Sequence, residues 1–306
     1  MQNILRMGVY VICSVLLLSG CVTNEKSSSS KQLAESIIGP KFSSFFDPKR
    51  LAKIDPNKKK LEVIVPVFDH GLSEGAEKYK EEGIWPELRR AEANRFAYKL
   101  KTALEDTNAF GAVRVTPDNT ATGDLYVLGK IVESNGEKIE IEIQVVDISG
   151  KQWFTRSFEH SVEPEYYKNI RNEGKDPYDP VFVDASNRIA IELESYETEQ
   201  LERLTRVSDL RFGASFSSAA FSEYMTVENG KVKLESFPSE DDPMLKRTRA
   251  IRVRDQLFVD GLQDEYRSFS DNMESSYLIW QEQSLLEIEA KQDAQLKAAG
   301  EAVMGI

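Results

Sequence analysis

Residues 124–147, DLYVLGKIVESNGEKIEIEIQVVD, decide the fold. Apolar and polar residues alternate through both halves of this stretch, which is the pattern of β-strands that bury one face. Asn135-Gly136 lies between the halves, and Asn-Gly is a strong indicator of a tight hairpin turn. A second turn, Ile148-Ser149-Gly150-Lys151, leads into QWFTRSFEH. The sequence therefore predicts a three-stranded antiparallel meander.

The residues before the meander predict a strand, a helix and a short strand. LEVIVPVF, from Leu61, alternates like a strand, and we expect Pro66 at an edge or a bulge because proline cannot donate a ladder hydrogen bond. Pro86 begins a segment with apolar residues at helical spacing, and residues 110–115 predict the short strand. This order predicts an α+β fold in which a small sheet, at residues 60–160, packs against a helix.

Residues 181–306 are predicted to be mainly helical. Residues 184–205 have helical spacing, and Asn229-Gly230 is expected to turn a small hairpin. A long helical pattern begins at Asp242-Pro243, with a break predicted at Gly261. Its apolar stripe consists of Ile251, Phe258, Leu262, Tyr266, Phe269, Met273, Tyr277 and Trp280. We favour packing of this stripe on the protein's own core over a coiled coil or a partner-binding stripe, because aromatics fill seam positions where Leu and Ile are expected.

A cluster of basic residues opens the same long pattern. It consists of Lys246, Arg247, Arg249, Arg252 and Arg254. In so acidic a chain we expect these residues to pair with Asp and Glu, and contact with anionic lipid or glycan is the alternative.

The amino terminus, MQNILRMGVYVICSVLLLSGC, has the features of a signal peptide. Arg6 is positive, and the apolar run Met7–Leu18 is too short to span a bilayer as a helix. Leu18-Ser19-Gly20-Cys21 resembles the lipobox of bacterial lipoproteins, which implies that residues 1–20 are removed and that Cys21 carries acyl chains such as palmitate. The alternative is an ordinary signal peptide in which Cys21 has no role.

The resemblance then implies that residues 21–45, which contain the serine run at 27–30, form a lipidated tether. Two or more acyl chains hold a protein stably on a membrane. Residue 22 is Val, whereas the lipoproteins that stay in the inner membrane carry Asp after the lipidated cysteine. The resemblance thus implies an outer-membrane protein in a Gram-negative host, with the folded part facing the periplasm.

The predicted sheet segment resembles the superfamily of the TolB amino-terminal domain, which includes the curli-secretion lipoprotein. Its members often read A-D-Y-x-x-x-G-x-I and V-x-x-Q-L-V-D-x-x-T-G-x-x-x-W. The matching residues here are Asp124, Gly129, Gln144, Val146, Asp147, Gly150 and Trp153. Gly123 stands where Ala is common, and Ser149 replaces Thr. The resemblance implies a non-enzymatic protein that binds envelope proteins or builds envelope assemblies. No long transmembrane hairpins of the curli-channel type are evident.

Composition excludes several classes of function. The net charge is -12, so the chain repels a phosphate backbone and nucleic-acid binding is not expected. A mean hydropathy of -0.43 excludes a polytopic membrane protein. Two cysteines and two histidines leave too few ligands for a Cys/His metal site, and no cofactor motif is present.

No recognised catalytic motif occurs in the sequence. Asp69 precedes His70 and could orient its imidazole, but a solvated loop histidine is the favoured interpretation, and His160 has no partner in sequence.

These observations lead to one functional hypothesis and two alternatives. We expect a non-enzymatic outer-membrane lipoprotein that faces the periplasm and acts as an accessory or scaffold for an envelope assembly, through protein partners that the sequence does not name. One alternative is a subunit of a self-associating secretion or surface complex. The other, less favoured, is an envelope hydrolase.

Overall fold

The computed structural model describes residue 55, residues 57–72, residue 79 and residues 84–304, with side chains up to residue 300. The predicted signal peptide, the tether and Cys21 lie outside the described residues. All described residues belong to one compact unit, residues 50–306.

A mixed sheet of five strands organises this unit. Its strands are β1 (Val63–Pro66), β2 (Val113–Thr116), β3 (Leu125–Ser134), β4 (Lys138–Asp147) and β5 (Gln152–Ser161). The spatial order is β2-β1-β3-β4-β5, in which β1 is parallel to both neighbours and β3, β4 and β5 are antiparallel. The predicted α+β class, the meander and the hairpin turn at Asn135-Gly136 are confirmed.

Only the edge position predicted for Pro66 is wrong, because β1 lies between β2 and β3 and Pro66 is the last residue of the strand. The predicted irregularity is present: pairing with β3 stops at Ile64–Tyr126 and resumes at the bridge Asp69–Lys130, five residues later on one side and four later on the other. The amide that continues the ladder to Thr116 belongs to Val67. The N–H that proline lacks is therefore not needed on either side.

Two helices cover the apolar face of the sheet. They are α1 (Pro86–Asp106) and α2 (Asp179–Glu194). The alternate residues of β4 that face them, Ile139, Ile141, Ile143 and Val145, have no exposed surface. The ring of Phe96 on α1 lies 5.3 Å from the ring of Phe182 on α2, which closes the core between the helices.

The rest of the chain is mainly helical, as predicted. It contains a short 3-10 helix (Ile170–Asn172), α3 (Thr198–Phe216), α4 (Ser218–Phe221), α5 (Pro243–Gly261) and α6 (Gln263–Met304). The predicted hairpin at Asn229-Gly230 joins β6 (Met225–Glu228) to β7 (Lys231–Leu234), and the predicted break at Gly261 is confirmed.

The single helix predicted for residues 184–205 is in fact parts of two. α2 ends at Glu194, and α3 begins at Thr198 after a capping box in which Glu197 and Gln200 exchange side-chain and backbone hydrogen bonds. Such a box satisfies the free N–H groups of a new helix and so favours a separate start.

The apolar stripe of the C-terminal helices packs on the core only in part. Tyr277 is buried, but Phe258 is 70% exposed and Phe269 is 41% exposed, so the prediction is wrong for these two residues. The side of α6 that faces the rest of the protein carries Tyr277 together with the polar residues Ser270 and Gln281. The hydroxyl of Tyr277 donates to the buried carboxylate of Glu92, and the amide of Gln281 donates to that of Asp176, which stabilises these polar groups on the buried side.

Candidate functional site

The start of α6 completes one edge of the sheet. The side chain of Gln263 accepts a hydrogen bond from the backbone N–H of Val115 and donates one to its carbonyl, both at 2.9 Å. The nearby Arg114 pairs with Asp260 on α5 at 2.6 Å. The side-chain amide of Gln263 thus makes the two backbone hydrogen bonds at Val115 that a neighbouring strand would otherwise make, and it fixes where α6 begins.

Further along α6, a buried ion pair joins α1 to the loop before α2. Arg95 lies 2.6 Å from Asp176, and Asp176 also accepts a hydrogen bond from Gln281 at 3.1 Å. Arg95 contacts Glu274 as well, and its guanidinium lies 4.7 Å from the centre of the Tyr277 ring. Burial alone would raise the pKa of Asp176, but the positive charges of Lys99 and Arg95 outweigh it and lower that pKa.

A second buried carboxylate, Glu92, lies on α1 one helical turn before Arg95. It accepts hydrogen bonds from the hydroxyls of Ser134 at 2.6 Å and of Tyr277 at 2.7 Å, and it pairs with Arg89 at 3.1 Å. Burial raises the pKa of Glu92, although these partners oppose the shift. Glu92 therefore connects α1, the end of β3 and α6 through one side chain.

A cleft of about 680 Å³ opens beside Glu92, between the start of α1, the β3–β4 turn and α6. Its apolar lining residues are Ile84, Trp85, Leu88, Trp280 and Ile288. Polar lining residues include Arg89, Glu137, Gln283, Glu287 and Lys291. The indole of Trp85 is 68% exposed, which leaves a large apolar side chain at the mouth of the cleft. This mixture of apolar walls and a few polar groups is typical of binding clefts.

Two of the carboxylates at this cleft are held by neighbouring side chains. Both oxygens of Glu92 contact Ser134, Tyr277 or Arg89. At the rim, Glu287 pairs with Lys291 at 2.7 Å. Carboxylates held in this way position the surrounding elements, whereas a general acid or base needs a free path to a substrate proton.

The histidine noted in the sequence is used by its own loop. The Asp69 carboxylate accepts a hydrogen bond from the N–H of Gly71 at 2.8 Å, and His70 Nδ1 accepts one from the N–H of Leu72 at 3.1 Å. Each side chain therefore holds the loop backbone, and this pattern favours the loop interpretation over a catalytic pair.

The second histidine, His160, lies half-buried on β5. Burial lowers its pKa to about 4, although the nearby Asp184 carboxylate opposes this shift. His160 is therefore neutral at physiological pH.

The basic cluster is paired in part, as predicted. Lys246 pairs with Asp241 at 2.8 Å. Arg249 and Arg252 share Asp209, at 2.7 and 2.8 Å. Arg247 and Arg254, in contrast, are exposed on α5 and make no ion pair within the described part of the chain.

The residues of the TolB-like resemblance that make side-chain contacts support the fold. Asp147 accepts hydrogen bonds from Ser149 and, at 3.0 Å, from the indole of Trp153. Asp124 accepts hydrogen bonds from the N–H of Glu62 at 3.0 Å and from the hydroxyl of Ser208. A side chain at Gly129 would collide with the ring of Phe68. None of these residues lines the cleft.

The sequence matches no known protein-family profile and no curated protein. Within the described part of the chain, no helix is long and apolar enough to cross a membrane. Across the same residues, no cluster of three or more His, Cys, Asp or Glu side chains could hold a metal ion.

No pattern in the sequence indicated the cleft. Arg95 and Asp176 are 81 residues apart, and Glu92 and Tyr277 are 185 residues apart. Buried polar pairs of this kind follow no periodicity, so only the folded chain brings them together.

Proposed function

We propose that this protein is a lipid-anchored accessory or scaffold of the bacterial outer membrane, with its folded part in the periplasm. The proposal for the membrane rests on Leu18-Ser19-Gly20-Cys21, which follows a short apolar run. In this proposal the cleft between α1, the β3–β4 turn and α6 binds a segment of a protein partner, and the protein performs no chemical reaction.

The cleft with Trp85 at its mouth carries the proposal of partner binding. A volume of about 680 Å³ accommodates a few side chains, and Trp85 and Trp280 offer two large apolar contacts. Tryptophans that become buried on association are often the residues on which affinity depends most. Glu137, Glu287 and Lys291 can form the polar rim that surrounds such a contact. A partner segment with an apolar side chain between polar residues fits this arrangement.

Two measurements in intact cells test the proposal. Cells grown with labelled palmitate should yield the labelled protein, and the Cys21→Ser variant should be unlabelled and should keep its leader. An unlabelled natural protein would overturn the anchor.

Partner binding is tested with a photo-reactive amino acid placed at position 85 or, as the control, at position 155 on β5, outside the cleft. We expect one discrete crosslinked species from position 85 that the Trp280→Ala variant abolishes. Equal crosslinking from position 155 would overturn the role of the cleft.

A second candidate function, self-association, is favoured by the length of α6. The helix has 42 residues, and residues 290–299 are all exposed. Ile279 is 61% exposed and Leu286, seven residues later, is 49% exposed on the same side. Mass photometry of the chain from residue 22 tests this candidate, since that chain contains the whole compact unit. A high multiple of the monomer mass that the Leu286→Glu variant reduces would favour an assembly.

A further inference from the structure

The outer side of α5 combines exposed apolar and basic residues without an acidic one. At 3.6 residues per turn, one continuous side of the helix contains Lys246, Arg247, Ala250, Val253, Arg254, Leu257 and Phe258. We call these residues the α5 outer face. All are exposed, with values of 55% for Val253, 65% for Leu257 and 70% for Phe258.

The acidic residues of α5 lie beside this face or on the other side of the helix. Asp260 pairs with Arg114, and Asp242 caps the first turn by accepting a hydrogen bond from the N–H of Leu245 at 2.9 Å. Asp255 is half-buried next to the face. Leu245 and Arg252 mark the opposite side, which is buried against the rest of the protein.

We propose that the α5 outer face binds the surface of an anionic phospholipid bilayer. Helices that lie on membranes combine apolar side chains with Lys and Arg in this way: the apolar side chains enter the boundary between headgroups and acyl chains, and the basic ones meet anionic headgroups. Arg247 and Arg254 are available for this contact because they make no ion pair within the described residues. Leu257 and Phe258 supply the apolar contact.

Charge complementarity favours a bilayer over a second copy of the protein as the binding partner of this face. The chain has a net charge of -12, so most of its surface is repelled by anionic lipid and the basic face sets the orientation. In a two-fold dimer through this face, the unpaired arginines of both copies would come close together, which is unfavourable.

This inference rests on the proposed function for the bilayer itself, because the Cys21 anchor would keep the domain next to a membrane. Two arginines and three large apolar side chains bind weakly on their own. A tether raises the effective concentration of the face at the bilayer and makes such a weak contact persistent. The α5 outer face would then hold the domain in one orientation relative to the membrane.

Vesicle flotation of the unlipidated chain from residue 22 tests the contact. The probe is vesicles of phosphatidylethanolamine with a quarter phosphatidylglycerol, compared with vesicles of phosphatidylcholine alone. We expect binding to the anionic vesicles only, weakened by salt. The Arg247→Glu/Arg254→Glu and Leu257→Ser/Phe258→Ser variants should each lower the partition coefficient at least about tenfold.

Control variants make the same kinds of change, two charge reversals or two losses of an apolar side chain, elsewhere on the surface. Ile170→Ser/Ile191→Ser removes two exposed apolar side chains, and Arg203→Glu/Lys297→Glu reverses two exposed charges. Both should bind anionic vesicles like the natural chain. Equal losses in the controls, equal binding to phosphatidylcholine or no binding at all would overturn the inference. A change in oligomeric mass caused by the α5 variants, without vesicle binding, would assign the face to contacts between copies instead.

The outcomes for the anchor and for the α5 outer face can be told apart. Palmitate labelling reports on Cys21 alone, whereas flotation of the unlipidated chain reports on α5 alone. If the protein is labelled in cells but its unlipidated chain does not float with vesicles, only the α5 contact is overturned. A chain that floats but is never labelled in cells overturns only the anchor.

Discussion

The guanidinium of Arg95 lies 2.6 Å from the carboxylate of Asp176, and neither side chain has any exposed surface. Asp176 belongs to the loop before α2, and it also accepts a hydrogen bond from Gln281 on α6. One buried carboxylate thus joins three parts of the chain that are far apart in sequence. Because a buried charge is tolerated only when its partners are in place, this group determines how α6 sits against α1.

We predict that the Asp176→Asn variant lowers the free energy of unfolding by about 3 to 5 kcal/mol, because it leaves Arg95 buried without its main counter-charge. Asp179→Asn is the matched control. Asp179 is a half-exposed carboxylate 2.9 Å from Lys99, and loss of that pair should cost less than about 1 kcal/mol. Urea unfolding followed by circular dichroism measures both variants. Equal effects of the two substitutions would show that burial of the pair does not matter.

The hydroxyl of Tyr277 should contribute to stability through Glu92. The Tyr277→Phe variant removes one donor from a carboxylate that is 1% exposed, so we predict a loss of about 1 to 3 kcal/mol. The same change should raise the pKa of Glu92 further, because that hydrogen bond favours the charged form.

Carboxyl chemical shifts of labelled glutamate during a pH titration measure the shift, and Tyr266→Phe on the same helix is the control. A Glu92 titration that is identical in the natural chain and in Tyr277→Phe would contradict this role for the hydroxyl.

The parts of the fold that depend on local patterns were predicted from the sequence. The alternation in residues 124–147 and the Asn135-Gly136 turn gave the meander, and the spacing after Pro86 gave α1. The packing of α6 could not be predicted in this way. Its buried side carries polar groups such as the amide of Gln281, whose partner Asp176 is far away in sequence, so a rule that places apolar residues inside selects the wrong side for Phe269.

Less of the candidate site than of the fold could be predicted from the sequence. The Cys21 anchor is a prediction from four residues, and it lies outside the described residues. The cleft depends on the buried partners of Glu92, and none of them is close to Glu92 in sequence except Arg89. Nothing in the sequence indicates that Trp85 and Trp280 lie close together, because only the packing of α6 on α1 brings both residues to one cleft.

His160 should make the protein less stable in mild acid. Burial lowers its folded pKa to about 4, below the ordinary value of 6.5. Between these two values the unfolded chain binds a proton that the folded chain does not, so stability falls as the pH drops from about 6.5 to about 4 and is unaffected by this group at higher pH.

The expected loss is about 1 to 2 kcal/mol, because the side chain is partly exposed and solvent screens part of the effect. Urea unfolding at a series of pH values measures it. The His160→Gln variant should lose this slope, and the His70→Gln variant should keep it. A slope that survives in His160→Gln would assign the acid sensitivity to other groups.

The contact between α6 and the sheet can be tested most directly at Gly136, in the β3–β4 turn. Gly136 has a φ of +94°, and a Cβ atom added there would lie 2.5 Å from Cβ of Ser284 on α6. Gly230 also has a positive φ, +78°, but a Cβ atom added there would contact nothing within 4 Å. Gly230→Ala should therefore cost only the backbone strain, about 1 kcal/mol, and Gly136→Ala should cost that strain plus the displacement of α6, about 2 to 4 kcal/mol in all.

Hydrogen exchange separates the two contributions to the Gly136→Ala effect. If the new methyl group moves α6, amides around residues 277–285 should exchange faster in Gly136→Ala, while those of β6 and β7 should be unchanged. Gly230→Ala should give the opposite pattern, because Gly230 lies in the β6–β7 turn. Since Ser284 also lines the cleft, a displaced α6 should reduce crosslinking from position 85 as well. Unchanged exchange along α6 in Gly136→Ala would mean that the turn adapts by itself and does not fix the helix.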